Sequence, residues 1–393
     1  MRTPKSLVAV AAALIGVAGG AHAAKDPVDI LIQKLVERSV ITEADGNSIR
    51  SEIAQIQKDE AEKAKAAPTV VPVTVKTAVK LSGYAQARYT SSTGPSTGDT
   101  FEIRRLRLSL AGNPAPKVDY ALQVDLAGSS TAVTSVSGTT VKTGNVGKAT
   151  LLDAAVGYTA APLIKLTAGQ FKVPFSQESL ASDALLDTIN RAQVVDKLVP
   201  GRDNGSSGRD VGIQVSGQML PATDSGRFEY ALGAFNGSGI NIVDDNRSKD
   251  VAARIVWKPA VAGLSLGASQ YWGRKGSPYV KRDRTGLEAS FVRPRYGVKA
   301  EYIQGKDAAV KKRGYYVTGL LGVAHETQAV LRYEQLDLDT SVAGNTGKTT
   351  TVGLNHFLSK DTLNRLQLNY ERHSDQGPTV KEDQFLAQYQ GAF

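Results

Sequence analysis

Hydrophobic and polar residues alternate at every second position through most of the chain after residue 78. The segment 117–126 is the clearest example. Its apolar positions are Val118, Tyr120, Leu122, Val124 and Leu126, and its polar positions include Lys117, Asp119, Gln123 and Asp125. A period of two residues places the two sets on opposite faces of a β-strand. The pattern therefore predicts strands with one apolar and one polar face.

The alternation recurs in about sixteen segments of about ten residues, which is the length of a tilted strand that crosses a membrane. The predicted strands are 79–90, 101–112, 117–127, 149–159, 163–171, 208–219, 227–236, 248–258, 262–273, 285–293, 296–305, 314–323, 327–337, 348–358, 362–373 and 382–393. Short connections, most of them containing proline, alternate with longer loops that include 274–284 and 306–313. This arrangement is typical of outer-membrane barrels. We predict an all-β fold, a transmembrane antiparallel β-barrel of about 16 strands with a water-filled bore.

A soluble array of β-sandwiches would show the same alternation, with its polar face outside. The many charges and amides on the polar face and the aromatic residue Phe393 at the end of the last alternating segment favour the barrel. In lipid, an all-β chain must close on itself so that every backbone amide is paired.

The first 78 residues follow a different pattern. Arg2 and Lys5 precede an apolar run that ends in a small-x-small motif at 21–23, which predicts a signal peptide over 1–23, with a retained membrane anchor as the alternative. Residues 24–67 show apolar positions at helical spacing and are predicted to form a periplasmic helical or coiled-coil segment. Thr42 and Asp45 form a predicted capping box within it. A loosely ordered spacer is the alternative, followed by a linker over 68–78 and a barrel domain over 79–393.

Composition and charge narrow the function classes. The 393 residues contain 47 Lys and Arg, 38 Asp and Glu, and no Cys, so the net charge is +9 and no disulfide, thiolate metal site or cysteine nucleophile is possible. The mean hydropathy of −0.21 is too polar for a helical membrane protein. Beyond the signal, the histidines are His325, His356 and His373, and none pairs with a nucleophile. We expect no enzyme activity, no cofactor, no metal and no nucleic-acid partner.

Several segments resemble the phosphate-selective porin O and P family. Residues 101–108 (Phe-Glu-Ile-Arg-Arg-Leu-Arg-Leu) resemble its arginine-rich second strand, and 169–176 (Gly-Gln-Phe-Lys-Val-Pro-Phe-Ser), which follows 153–158, is the most specific match. Residues 235–239 and 250–254 also match, and the resemblance covers about 80–393. It implies a homotrimer of sixteen-stranded barrels in outer-membrane lipid, each with a pore for phosphate or other small anions. Phe393 resembles the residue that the barrel-assembly machinery recognises.

Cations that face the bore are the candidate anion pathway. The alternation is assigned so that they face inward, because a charge facing hydrocarbon at the midplane costs about 2–4 kcal/mol. The lumen candidates in the anion pathway are Arg88, Arg105, Arg107, Lys165, Lys172 and Arg254. The same alternation turns Lys117, Arg227, Lys299, Arg332 and Arg365 inward, and Arg104 outward. The alternative is that acids on the same walls neutralise these cations, namely Glu229, Asp250, Glu301, Glu334 and Glu371.

The longest connection is 172–207. The resemblance implies that this connection folds inward and narrows the bore. Leu180, Leu185, Leu186 and Ile189 are predicted to pack it against the wall, and 181–192 to form a short helix. Its constriction candidates are Arg191, Lys197 and Arg202. Its four basic and five acidic residues include no lysine cluster, so anion preference is expected and phosphate specificity is left open.

The sequence therefore predicts a porin of the bacterial outer membrane for passive diffusion of small anions, with phosphate and polyphosphate as candidate solutes. A general-diffusion porin and a barrel that mainly tethers the envelope through its periplasmic segment are the alternatives.

Overall fold

The computed structural model describes residues 27–66, 79–93, 99–127, 129–136, 139–147, 149–161, 163–218, 226–276, 279–374 and 383–393. The predicted signal peptide at 1–23 and the predicted linker at 68–78 lie outside these residues. The chain divides into two compact units, Met1–Thr74 and Val75–Phe393, which are described separately.

The N-terminal unit contains helices α1 (Pro27–Glu37) and α2 (Glu43–Ala66). The capping box is confirmed, because the Asp45 amide donates to Thr42 Oγ1 (3.2 Å) and the Thr42 amide donates to Asp45 Oδ2 (3.0 Å). Ile32 of α1 is buried, and a Cβ added at Gly46 of α2 would lie 3.2 Å from its side chain. The two helices therefore form a hairpin, closed where glycine lets the backbone of α2 approach α1. The described helices do not reach the length and apolarity that crossing a membrane requires.

The second unit is a closed ring of antiparallel strands. Sixteen strands form the ring, in the order β1-β18-β17-β16-β15-β14-β13-β12-β11-β10-β9-β8-β7-β6-β3-β2. The strands are β1 (Lys80–Ser92), β2 (Thr100–Ala115), β3 (Val118–Asp125), β4 (Ser129–Val136), β5 (Thr139–Gly147), β6 (Thr150–Ala161), β7 (Ile164–Lys172), β8 (Arg209–Gln218), β9 (Arg227–Phe235), β10 (Asp250–Lys258), β11 (Leu264–Lys275), β12 (Val280–Val292), β13 (Tyr296–Asp307), β14 (Val310–Ala324), β15 (Thr327–Asp337), β16 (Thr346–Phe357), β17 (Arg365–His373) and β18 (Gln384–Ala392). Closure joins β1 to β18, where Gly83 and Phe393 exchange two backbone hydrogen bonds of 3.0 Å. The predicted sixteen-stranded barrel is confirmed.

The two faces of the ring have opposite polarity. Along β17, Arg365, Gln367 and Asn369 are at most 3% exposed, whereas Leu366, Leu368 and Tyr370 are each 45% exposed. The polar face thus points into the barrel and the apolar face points out, which is the reverse of a water-soluble sandwich. Such an exterior suits hydrocarbon, and every sheet edge in the ring is paired.

Three stretches differ from the prediction. Strands β4 and β5 form a separate two-stranded sheet within 128–148, which we expected to be a loop. The predicted loops at 274–284 and 306–313 are wrong over most of their length, because β12 begins at Val280 and only Ala308 and Ala309 separate β13 from β14. These stretches carry Lys and Arg on both faces, so no apolar alternation reveals the strands. Lys117 lies in the turn between β2 and β3 with φ 67°, and not in a strand as predicted.

Candidate functional site in the barrel interior

The connection between β7 and β8, residues 173–208, folds into the barrel and is called the inward loop. It contains helix α3 (Gln177–Leu180), a 3₁₀ turn (Asp183–Leu185) and helix α4 (Gln193–Leu198). An apolar cluster holds it to the wall. The cluster contains Val173, Phe175, Ala192, Val194, Val195, Leu198 and Val199 from the loop, and Phe235, Ala252, Tyr271, Ile303, Tyr316 and Leu336 from the wall. The loop thus occupies part of the cross-section of the barrel.

The predicted helix over 181–192 is wrong. Beyond the 3₁₀ turn the backbone bonds to the wall, since Ile189 N donates to Asn369 Oδ1 (2.6 Å) and the Asp187 carbonyl accepts from Asn355 (2.8 Å). Leu186 and Ile189 are buried as predicted, whereas Leu185 is 48% exposed. Wall amides therefore replace the i to i−4 bonds of a helix.

Asp183 in the inward loop is the centre of an arginine cluster. Its carboxylate forms ion pairs with Arg107, with Arg191 at 2.8 Å and with Arg105 at 3.6 Å, and its side chain is 2% exposed. Burial alone would raise the pKa of Asp183, but Arg105, Arg191 and Arg107 together hold that pKa well below its ordinary value. The carboxylate is therefore charged, and it binds the loop to β2.

Further polar contacts fix the loop around the wall. Asp187 pairs with Lys299 (2.7 Å) and Glu178 with Arg332 (2.9 Å). Lys172, at the end of β7, donates to the carbonyl of Ala181 in the loop (2.6 Å). The loop is therefore held from several directions, as a fixed constriction requires.

The predicted lumen cations lie on the inner wall, and most have acidic partners. Arg88 pairs with Glu102, Arg254 with Glu288, Lys165 with Asp119 and Arg107 with both Asp125 and Asp183. Of the acids predicted to neutralise this wall, Glu229 does pair with cations, Lys258 at 2.7 Å and Arg227 at 3.1 Å. Glu301 instead accepts from the Tyr316 hydroxyl (2.8 Å). The selectivity roles of the individual cations stay predictions.

Arg104 breaks the alternation for a structural reason. The register between β1 and β2 shifts so that Gln86 faces Arg105 while Ala87 faces Ile103, which leaves Arg104 as the extra residue of a β-bulge. Alternation continues correctly on each side of the bulge.

A cationic cavity lies at the long-loop end of the barrel, between the inward loop and strands β11, β12 and β14. Its volume is about 290 Å³. We call it the outer cationic cavity, and its inward-facing charged residues are Lys197, Lys275, Arg282, Arg284, Lys312, Asp203 and Asp307. Five inward-facing cations thus face two carboxylates, and Lys281, on an outward position of β12, also borders the cavity.

The charges in this cavity are only partly compensated. Arg284 pairs with Asp307 (2.6 Å) and Asp203 (3.1 Å), and Lys312 pairs with Asp307 (2.7 Å). The side chains of Lys197 and Lys275 make no hydrogen bond or ion pair within the part of the chain that the structure describes. Of the constriction candidates, only Lys197 lines the cavity, since Arg191 binds Asp183 and Arg202 pairs with Asp196 (3.1 Å). The sequence feature that indicates this cavity is the density of Lys and Arg in 274–284 and 306–313, the stretches predicted to be loops.

The geometry can be compared with known proteins. The model of the family "Phosphate-selective porin O and P" matches residues 73–282. An anion-selective porin from Comamonas acidovorans is 14% identical, with 81% of this chain and 100% of that chain covered and a TM-score of 0.58. OmpT of Vibrio cholerae in its trimer form is 11% identical, with coverages of 81% and 99% and a TM-score of 0.53. No curated protein sequence matches the chain.

The two kinds of comparison carry different weight. At these identities the solved structures establish the porin fold alone. The family match covers more than half of the chain, so the chain belongs to the phosphate-selective porin O and P family.

Proposed function

We propose that this protein is a passive channel of the outer membrane that prefers small anions to cations and uses no cofactor. Family membership and the barrel with its polar interior support a water-filled path. The long-loop end faces the outside, the helical hairpin lies in the periplasm, and the protein acts as a homotrimer in this proposal.

The outer cationic cavity is the observation that carries the anion preference. Its excess of three positive charges lies beside the path that a solute takes past the inward loop. One unit charge about 4 Å from an anion contributes about 4 kcal/mol at an effective dielectric near 20, before the cost of dehydrating the ion. Lys197 and Lys275 are available for this role because no acid among the described residues neutralises them.

The cations form a series along the wall, which allows an ion to move between neighbouring sites. From the long-loop end the series runs through the outer cationic cavity to Arg105 and Arg254, and it reaches Lys165 near the short turns. Conduction requires several sites that bind weakly enough to release the ion. Most of these cations have a carboxylate partner, which keeps binding weak.

The chemistry of the cavity suits oxyanions. Guanidinium and ammonium groups together bind phosphate oxygens through charge-assisted hydrogen bonds. The balanced charge at the constriction argues against exclusive phosphate selection. We infer a preference for small anions that includes phosphate and polyphosphate among its solutes.

Reversal potentials in planar bilayers under a salt gradient test the proposal. The wild-type channel should pass anions faster than cations, and the Lys197→Gln, Lys275→Gln double variant should lose about half or more of that preference, because two of three excess charges disappear. A matched control replaces Lys117 and Lys360, two turn lysines at the other end, by Gln. Equal permeability ratios in wild type and the cavity variant would contradict the assignment. Titration of phosphate against chloride in single-channel recordings then ranks the solutes.

A further inference from the structure

The outer surface of strands β13 and β14 carries a second group of basic side chains, which face away from the bore. Lys306, Lys311 and Arg313 are exposed and lie on the outward positions of these strands, as do Tyr302 and Tyr315. The three cations line an open groove of about 380 Å³, which we call the outward basic groove.

The positive charge of this groove is only partly compensated. Lys306 lies directly opposite Lys311 in the ladder between β13 and β14, a placement of like charges that destabilises a sheet. Asp283, opposite Lys306 on the other side, is the one carboxylate among the residues lining the groove, and Asp337 lies opposite Arg313 in the ladder between β14 and β15. The side chains of Lys306, Lys311 and Arg313 make no hydrogen bond or ion pair with other described residues. An external anion would relieve this repulsion.

The height of the groove on the barrel indicates where that anion comes from. Tyr302 and Tyr315 lie opposite each other and end the apolar outer band, in which Val298 and Val317 are 48% and 43% exposed. Tyrosines of this kind mark the level at which hydrocarbon meets the headgroups. Two residues along a tilted strand rise about 5 Å, so Arg313 lies about 5 Å and the lysine pair about 10 Å beyond the tyrosines.

Arg313 lies at the height of the headgroup layer, and the lysine pair lies just beyond its outer edge. That layer extends about 5–8 Å beyond the hydrocarbon on each side of a bilayer. Lys and Arg at a membrane interface reach along the surface with their charged ends while their stems cover apolar groups. The three cations therefore lie within reach of lipid phosphates, and the apolar band below them fits the acyl chains of the same lipid.

We propose that the outward basic groove binds the phosphate groups of a phosphorylated membrane lipid in the leaflet at the long-loop end. Arg313 presents a guanidinium fork that matches phosphate oxygens, and the Lys306–Lys311 pair holds further phosphate charge. The ligand lies outside the barrel wall, so this site is separate from the anion path.

Native mass spectrometry of the detergent-extracted full chain tests this site. Purified bisphosphorylated lipid A, monophosphorylated lipid A and inorganic phosphate serve as separate probes. We expect bisphosphorylated lipid A to bind most tightly and inorganic phosphate not to displace it. The Lys306→Gln, Lys311→Gln, Arg313→Gln variant should bind bisphosphorylated lipid A about 100-fold more weakly, since each basic residue near an anionic surface contributes about a fivefold factor.

The matched control is Lys117→Gln, Arg295→Gln, Lys360→Gln, which removes the same charge from exposed turns at the opposite end. It should bind the lipid as the wild type does, and the groove variant should keep the wild-type reversal potential. Equal lipid binding by the groove variant and the wild type overturns the proposal. Should the groove variant fail to fold, the wild-type probes still decide, because equal affinity for the two lipid A forms, or displacement by inorganic phosphate, also overturns it.

Discussion

The replacement of Asp183 by Asn offers a sharp test of how the inward loop is held. The carboxylate is 2% exposed and lies among Arg105, Arg107 and Arg191, so the variant keeps the shape of the side chain and removes its charge. Breaking a buried ion pair by removing one partner costs about 3–5 kcal/mol. The barrel itself closes through its ladders, which the substitution leaves intact. The cost should therefore appear as weaker attachment of the loop to β2.

A loss of about 3 kcal/mol lowers the ratio of attached to released loop by about 150-fold. We expect single channels of Asp183→Asn to show more open-channel noise and excursions to higher conductance, together with a stronger anion preference from the added positive charge. Asp119→Asn is the matched control, because Asp119 pairs with Lys165 on the wall and does not contact the loop. It should raise anion preference without adding noise. Quiet channels of wild-type conductance in Asp183→Asn would refute the view that this carboxylate secures the loop.

Three further predictions concern pH, one glycine and the helical hairpin. The folded-state pKa of Asp183 is lowered. The attachment that this carboxylate supplies is therefore present above the unfolded pKa of about 4 and is lost only as the pH falls through the lower folded value. The difference in channel noise between the wild type and Asp183→Asn should stay constant from about pH 8 to about pH 5, and a difference that shrinks in this window would contradict this. Gly169 has φ 125°, and a Cβ there would lie 2.2 Å from the Ala154 carbonyl oxygen; Gly169→Ala should greatly reduce the yield of folded barrel in gel-shift assays, and a normal yield would show that the strand can shift. Thr42→Ala removes the N-cap of α2, so hydrogen exchange in its first turn should accelerate about fivefold in the full chain, whereas unchanged exchange would mean that the cap contributes nothing.

The barrel could be predicted from sequence wherever one face of a strand is apolar. Strand β17 has this pattern, and its predicted inward and outward faces are those observed. Where both faces are polar, alternation carries no information, so the sequence pattern does not reveal the outer ends of β12 and β14 as strands. The Ser- and Thr-rich sequences of β4 and β5 show no apolar alternation either.

The site was less predictable because it depends on pairing between distant residues. The bulge at Arg104 is defined by the register with β1, which no local pattern encodes. The extended form of 181–192 depends on wall amides such as Asn369, which is 180 positions from its partner Ile189. Likewise, the outer cationic cavity combines Lys197 with Lys275 and Lys312, which only the closed ring brings together.

The seam between β1 and β18 has a consequence for the order of folding. Gln86 and Gln390 share a side-chain hydrogen bond across 304 positions, and the backbone pairing of Gly83 with Phe393 spans a similar separation. Contacts between such distant residues form slowly, because a long segment must first be brought together. Until β18 arrives, β1 is an unsatisfied edge that can recruit a strand from another molecule. Nascent chains of this protein are thus most prone to aggregate just before their final strand is available, and protection of β1 during that interval should decide the yield.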